Sequence, residues 1–299
     1  MARILLTGGS GFLGYNLVKT LKNNYECIFT YNNHPVAIPD VWAYPLNLLQ
    51  YSKFNKILDE FSPEVVIHSA AMSHSQECEN KKELALKVNA DATKYIVDTC
   101  HSLDIKVVFI STDLVFDGEL GFYKEVDKPN PVSFYGSTKA LAEEEVGKFK
   151  NNLIIRSALM YGLGNEYHNC FLKWMKEGLQ SNGITLYTDE YRSPIYVLDL
   201  ADAIKEIIEQ DISGIIHLAG PERLNRYEMG LIFCEEFNYD KRKIRAMTLK
   251  EADMEFKRAK DCSLSILQAK SILKTELRNF RAGLQDLKRR RKYENWSYL

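Results

Sequence analysis

Apolar residues in this chain follow two alternating rhythms. Short unbroken runs at residues 2–6, 26–31, 64–68, 107–110, 152–156 and 214–218 predict strands buried on both faces, as in a parallel sheet. Between them, apolar positions recur every three to four residues over 12–21, 51–61, 82–101 and 138–150. The same spacing returns after Asp199 through Leu200, Ala203, Ile204, Ile207 and Ile208. It predicts amphipathic helices, each turning one face to the sheet. In the 138–150 helix, Ala140, Leu141, Ala142 and Val146 are expected inside and three glutamates outside. Strand and helix in alternation specify an α/β fold, a doubly wound parallel sheet.

The rhythm loosens after residue 162. A helix at 169–179 and a short strand at 184–187 come next, and from 222 onward the pattern is more polar and mostly helical. Residues 1–162, with 195–220 returning to the sheet, therefore read as the main domain. Residues 163–194 and 221–299 read as a smaller, mostly helical substrate-binding lobe. There is no internal repeat and no low-complexity linker.

Candidate chemistry gathers at the strand ends. The first strand runs into Thr7-Gly8-Gly9-Ser10-Gly11-Phe12-Leu13-Gly14, which fits the dinucleotide fingerprint in the registers 9-11-14 and 8-11-14. Such glycines permit a tight turn and let backbone amides approach a pyrophosphate, while the following helix aims its positive end at the charge. Gly8, Gly11, Phe12, Leu13 and Gly14 are the expected contacts. The second strand ends in Tyr31-Asn32-Asn33-His34, with no acid for a ribose 2′-hydroxyl and no arginine for a 2′-phosphate. A missing carboxylate removes repulsion against a 2′-phosphate and tips the balance from NAD toward NADP. Small residues at Ala70 and Ala71, after the third strand, would let the adenosine and ribose lie against backbone. Tyr31, Asn32, Asn47 and Ser111 complete the expected cofactor contacts.

The fourth strand leads into Ser111-Thr112-Asp113-Leu114, and Tyr135-Gly136-Ser137-Thr138-Lys139 follows a polar loop. A hydroxyl pair thus stands at a strand's carboxyl end, where open α/β sheets bind ligands. Tyr135 and Lys139 are one helical turn apart. Tyr-x-x-x-Lys also occurs at Tyr15/Lys19 and Tyr239/Lys243, but only the middle copy follows a strand ending in Ser-Thr. Asn89, inside the 82–101 pattern, is either solvated or orders backbone near this site.

Composition narrows the function classes. Lys+Arg 39 against Asp+Glu 40 leaves a charge of -1 over 299 residues, which argues against nucleic acid. The basic run at 288–292 reads as a solvated helix end. No segment is long and apolar enough to span a membrane, and the apolar run 4–6 is too short for a signal peptide. Six cysteines without a Cys-x-x-Cys pair predict buried thiols in a reducing cytoplasm, with no disulfide framework and no metal site.

Together these motifs resemble the extended short-chain dehydrogenase/reductases, and within them the dTDP-4-dehydrorhamnose reductase group, over nearly the whole chain. The residues that carry the resemblance are the glycine loop, Ala70-Ala71 with Cys78-Glu79, Ser111-Thr112-Asp113-x-Val115-Phe116-x-Gly118 and Tyr135-Gly136-x-Thr138-Lys139. Arg192-x-Pro194-x-Tyr196-Val197-x-Asp199-Leu200, Gly220-Pro221-Glu222-Arg223 and Lys260-Asp261-Cys262-Ser263-Leu264 add to it. The resemblance implies a Rossmann fold and a cytoplasmic homodimer feeding surface polysaccharide synthesis. NAD(P)H would reduce the ketone of a nucleotide-linked 4-keto sugar. Tyr135 would donate the proton, Lys139 would support it and hold the nicotinamide ribose, and Thr112 would polarise the carbonyl.

Sugar-nucleotide dehydratases of the superfamily carry Asp-Glu where this chain has Asp113-Leu114, so the resemblance favours reduction over dehydration. Rhamnose-forming members carry a tyrosine in place of Leu114 and an aromatic in place of Leu159, which implies an altered sugar pocket. Arg192, Arg223 and Tyr227 are candidates for the substrate's diphosphate or nucleotide; a surface ion pair or a packed ring is the alternative for each. The regulatory β subunit of methionine adenosyltransferase resembles the same family, and the aromatic run 293–299 suits such a docking role or dimer packing equally. A sugar-nucleotide epimerase is a third alternative.

Overall fold

A computed structural model describes residues 1–165, 167, 170–252 and 256–290. Its centre is a seven-stranded sheet, parallel at every pairing, in the spatial order Gly214–Leu218, Leu153–Ser157, Lys106–Thr112, Val65–His68, Arg3–Thr7, Glu26–Tyr31, Trp42–Pro45. The chain begins in the Arg3–Thr7 strand, winds outward to one edge, then crosses back beside its start to build the other half. That reversal opens a crevice at the carboxyl ends of Arg3–Thr7 and Val65–His68.

Helices cover both faces, as strands buried on two sides require. Phe12–Leu21 and Val197–Glu209 pack Leu17, Val18, Ile204 and Ile207 onto one face. Tyr51–Phe61, Ala92–Ser102 and Phe134–Val146 pack Phe54, Ile57, Ile96, Val97 and Val146 onto the other. Each fully buried Ile, Val or Phe here contributes on the order of 1.5–3 kcal/mol. A third apolar cluster lies off the sheet and joins Tyr161 and Leu172 to Phe233, Phe280 and Leu284.

The doubly wound sheet agrees with the periodicity, and the differences have local causes. Trp42–Pro45, not expected as a strand, adds an edge; it is short, ends in proline and exposes Trp42. The expected continuous helix at 82–101 is broken into Lys82–Leu86, a π-turn at Lys87–Asp91, and Ala92–Ser102. The extra residue in the turn brings Asn89 inside and leaves Leu84 and Leu86 at the surface. The helix expected from residue 138 starts at Phe134, because the Ser133 hydroxyl accepts from Gly136 N and caps it. The lobe also has more strand than its composition indicates: Ile244–Met247 pairs with Ile184–Tyr187, and Leu224–Asn225 with Tyr191–Arg192. The expected start of the 169–179 helix, the end of the 288–292 basic run and the 293–299 aromatic run lie outside the described residues.

Candidate active site

A cleft of about 860 Å³ runs along the carboxyl edge of the sheet. One half is backbone and small side chains. Gly8, Gly11, Phe12 and Leu13 line it from the first strand–helix turn, Tyr31, Asn32 and His34 from the end of the second strand, and Asn47, Ala70 and Ala71 beyond. Gly8 has φ +72°, and a Cβ there would stand 2.8 Å from the Ala70 backbone. Only glycine allows the turn and the two loops to close so tightly. The cradle is short of side chains and rich in backbone N–H, which fits the pyrophosphate of a dinucleotide. Gly14 is outside the lining, buried on the helix behind the loop.

The other half carries the hydroxyls. Lys106–Thr112 delivers Ser111 and Thr112 to the cleft floor, and the Phe134–Val146 helix brings Tyr135 and Lys139 alongside. Gly136 makes this approach possible, since a Cβ there would sit 2.1 Å from the Leu114 carbonyl. The Tyr135 phenol and the Thr112 hydroxyl face the same stretch of the cleft. Thr112 donates to Asp113 Oδ1 at 3.1 Å and accepts from Leu114 N at 3.2 Å. Desolvation raises the phenol above its ordinary value, Asp113 and Cys78 adding to the effect, while the neighbouring Thr112 hydroxyl pulls the other way. Tyr135 is therefore a protonated donor at neutral pH.

Lys139 is buried beneath it. Its Nζ donates to the Ile110 carbonyl at 2.7 Å and lies 3.9 Å from the centre of the Phe109 ring. Burial pulls the ammonium down to about 7, with Glu143 working against the shift. Glu143 is not on the solvent side as the helical pattern predicts. It accepts the Ser111 hydroxyl at 2.5 Å and a two-pronged contact from Arg156, whose Nη2 is 2.8 Å away. The Ser111 hydroxyl is thus committed to the protein interior. Asn89 orders backbone: its Nδ2 donates to Met72 O and to the Thr138 hydroxyl, and its Oδ1 accepts from Met72 N.

A family model described as the RmlD substrate binding domain matches residues 2–292. The chain belongs to this family. Among structures, it is similar to a hypothetical dTDP-4-dehydrorhamnose reductase from Sulfolobus tokodaii at 35% identity and TM-score 0.83, over 93% of this chain and 97% of that one. The dTDP-4-dehydrorhamnose reductase from Bacillus anthracis, solved in complex with NADP, is 25% identical with TM-score 0.84 over 97% and 100%. Among curated proteins, bovine methionine adenosyltransferase 2 subunit beta is 29% identical over 260 residues, 82% of this chain and 75% of the relative.

The RmlD-family cleft also takes in Leu114, Leu159 and Arg192 of the expected substrate set, but not Arg223 or Tyr227. Arg223 donates to Asp261 at 2.7 Å and stacks 3.5 Å over Tyr191, and Tyr227 packs against the lobe's apolar cluster. For these two the alternatives of ion pair and packed ring describe the fold. Arg192 is buried; its Nη1 donates to Tyr191 O and Ala259 O, while its Nε and Nη2 face Asp113 at 3.5 Å and Glu190 at 3.3 Å. Two arginines that sequence reasoning passed over, Arg226 and Arg258, do line the cleft. The Asn-x-x-Glu capping box at 225–228 marks Arg226 as the first residue of a helix; no local signal marks Arg258. Among the described residues there is no cluster able to hold a metal ion, no helix long and apolar enough to cross a membrane, and six free cysteines.

Proposed function

We propose that the protein reduces the carbonyl of a nucleotide-linked 4-keto sugar, with NADPH or NADH bound along the glycine-lined half of the cleft. The observation that carries the reading is that Thr112, Tyr135 and Lys139 line one cleft together, at a strand's carboxyl end beside a dinucleotide-shaped cradle. The bound dinucleotide supplies hydride. Thr112 and Tyr135 hold the carbonyl oxygen, and Tyr135 gives its proton as that oxygen gains negative charge. An alkoxide is a far stronger base than any phenol, so a raised Tyr135 pKa does not oppose the transfer. Lys139 sits under the pair with a pKa of about 7, suited to returning a proton through the ribose side of the cleft. Gly8, Gly11, Phe12, Leu13, Tyr31, Asn32, Asn47, Ala70 and Ala71 are assigned to the cofactor, Leu114 and Leu159 to the sugar.

The NADP held by the Bacillus anthracis relative and the absence of an acid among Tyr31, Asn32, Asn33 and His34 support NADPH over NADH. Leu114 offers the sugar no side-chain hydrogen bond, which favours a 4-keto sugar other than the rhamnose precursor. The reading extends, on family resemblance, to a cytoplasmic homodimer that serves polysaccharide precursor synthesis, with 163–194 and 221–299 as the substrate-binding lobe.

The similarity to bovine methionine adenosyltransferase 2 subunit beta supports a second reading, a dinucleotide-binding regulatory subunit. NADPH and NADH oxidation against dTDP-, UDP-, GDP- and CDP-linked 4-keto sugars separates the two. Turnover on one nucleotide class is the expected result. Tight cofactor binding with no turnover across the panel would favour the regulatory reading.

A further inference from the structure

We propose that His68 is a positioning residue: its neutral ring, held in one tautomer, fixes the dinucleotide turn in register with the helix that carries Tyr135. The proposal deepens the reductase reading above and rests on it for the role of Tyr135.

His68 ends the Val65–His68 strand and is buried. Each ring nitrogen meets one buried hydroxyl, Nδ1 at 2.7 Å from Thr7 Oγ1 and Nε2 at 3.0 Å from Thr93 Oγ1. Counting protons gives both bonds a direction. The Thr93 hydroxyl donates its one proton to the Asn89 carbonyl at 2.7 Å, so it can only accept from His68, and Nε2 carries the ring proton. Nδ1 is then the acceptor and Thr7 the donor, while the Thr7 oxygen itself accepts the Ala70 N–H at 3.3 Å. The other tautomer would set two acceptors against each other at Thr93. A charged ring would leave the Thr7 proton without an acceptor. Burial and the Lys139 ammonium oppose that charge as well, pulling the imidazole down to about 3.

The bonds continue in the same sense at both ends. Thr7 precedes Gly8, and Ala70 is the residue on which Gly8 closes. Beyond Thr93, Asn89 lies in the π-turn, where it accepts on its carbonyl and donates from its side chain. Its Nδ2 donates to the Thr138 hydroxyl at 3.0 Å, and that hydroxyl donates to the Tyr135 carbonyl at 2.8 Å. From the Ala70 N–H to the Tyr135 carbonyl, each group thus donates to the next.

A neutral imidazole suits the middle of such a chain, because it presents an acceptor and a donor on separate edges of one rigid ring. Buried bonds in series polarise one another, so a break at His68 loosens both neighbours. One is the glycine turn, through Thr7; the other is the Tyr135 helix, through Asn89. Gly8, Ala70 and Tyr135 line the cleft and His68 does not, so it acts only through these neighbours.

Two substitutions divide the ring. His68→Asn keeps an acceptor at the Nδ1 position for Thr7 and loses the donor to Thr93; His68→Gln keeps a donor at the Nε2 position and loses the acceptor. With NADPH and a 4-keto sugar at saturation, His68→Asn should lower kcat roughly tenfold, the scale of one buried hydrogen bond, and leave NADPH affinity within about twofold. His68→Gln should do the reverse. Thr93→Val should match His68→Asn, and Thr93→Ser should restore the wild type. Equal losses of kcat and NADPH affinity in both folded His68 variants would mark a merely structural residue and overturn the proposal. If neither variant folds, nitrogen NMR of the ¹⁵N-histidine-labelled wild type decides. A neutral ring protonated on Nε2 between about pH 5 and 8 is expected, identified by the shift of its Nε2 signal in Thr93→Val; a ring protonated on Nδ1 overturns the proposal. Failure of the reductase reading looks different: the wild type turns over no sugar, yet His68→Gln still weakens NADPH. The register is then read as faster amide exchange at residues 136–139 in His68→Asn than in His68→Gln, and equal exchange in the two overturns it.

Discussion

Lys139 and Glu143 stand one turn apart on the Phe134–Val146 helix, yet they are not paired with each other. The ammonium donates to the Ile110 carbonyl, and the carboxylate takes Ser111 and Arg156. This division leaves Lys139 buried with a lowered pKa beside the hydroxyls of the cleft, while Glu143 anchors the helix to two neighbouring strands.

Tyr135→Phe removes the proton donor and little else. Turnover on a 4-keto sugar should fall by a factor on the order of 10²–10⁴, the usual contribution of a general acid. NADPH affinity, read by nicotinamide fluorescence, should be unchanged. Undiminished turnover would take Tyr135 out of the mechanism.

Lys139 predicts a pH dependence of stability. Its folded pKa, about 7, is below the ordinary value of 10.5, so the unfolded chain holds this proton more tightly and burying the ammonium costs stability. The penalty is fully present below pH 7, shrinks as pH rises, and is gone above 10.5. Stability should therefore climb between those values by up to about 1.4 kcal/mol per pH unit from this group. Lys139→Met should abolish that climb in urea titrations at pH 7, 8 and 9; an unaltered slope would mean that the lysine is solvated.

Arg156→Met strands the Glu143 carboxylate inside the protein with Ser111 as its remaining partner. Breaking a buried pair from one side costs about 3–5 kcal/mol, whereas Arg156→Met with Glu143→Leu should recover much of the loss. Urea midpoints of the single and double variants decide it. A loss below about 1 kcal/mol in the single variant would show that Glu143 takes up a proton or reaches water.

Gly8→Ala puts a side chain at φ +72° and against Ala70. The left-handed backbone alone costs roughly 1–2 kcal/mol, and the displaced loop should weaken NADPH binding more than tenfold. Thermal melting and cofactor titration measure the two effects separately. Wild-type affinity in this variant would mean that the dinucleotide does not rest on the loop.

The sequence by itself determined the architecture and brought Tyr135 and Lys139 forward as the candidate pair. Continuous apolar runs fit strands buried on both sides of a covered parallel sheet, and alternation with helices fixes the right hand of each crossover. The glycine loop, the Ser-Thr strand end and Tyr135-x-x-x-Lys139 are local patterns whose chemistry needs only short-range spacing. The tertiary structure alone decided what depends on contacts distant in sequence. Which glutamate of the 143–145 run turns inward follows from Arg156 on the adjacent strand. Whether an arginine serves the fold or the cleft follows from partners far along the chain. Arg223 is taken by Asp261, while Arg226 and Arg258 gather on Glu190 and line the cleft. A side chain's period fixes the face it occupies, but only packing fixes which charge waits on the other side.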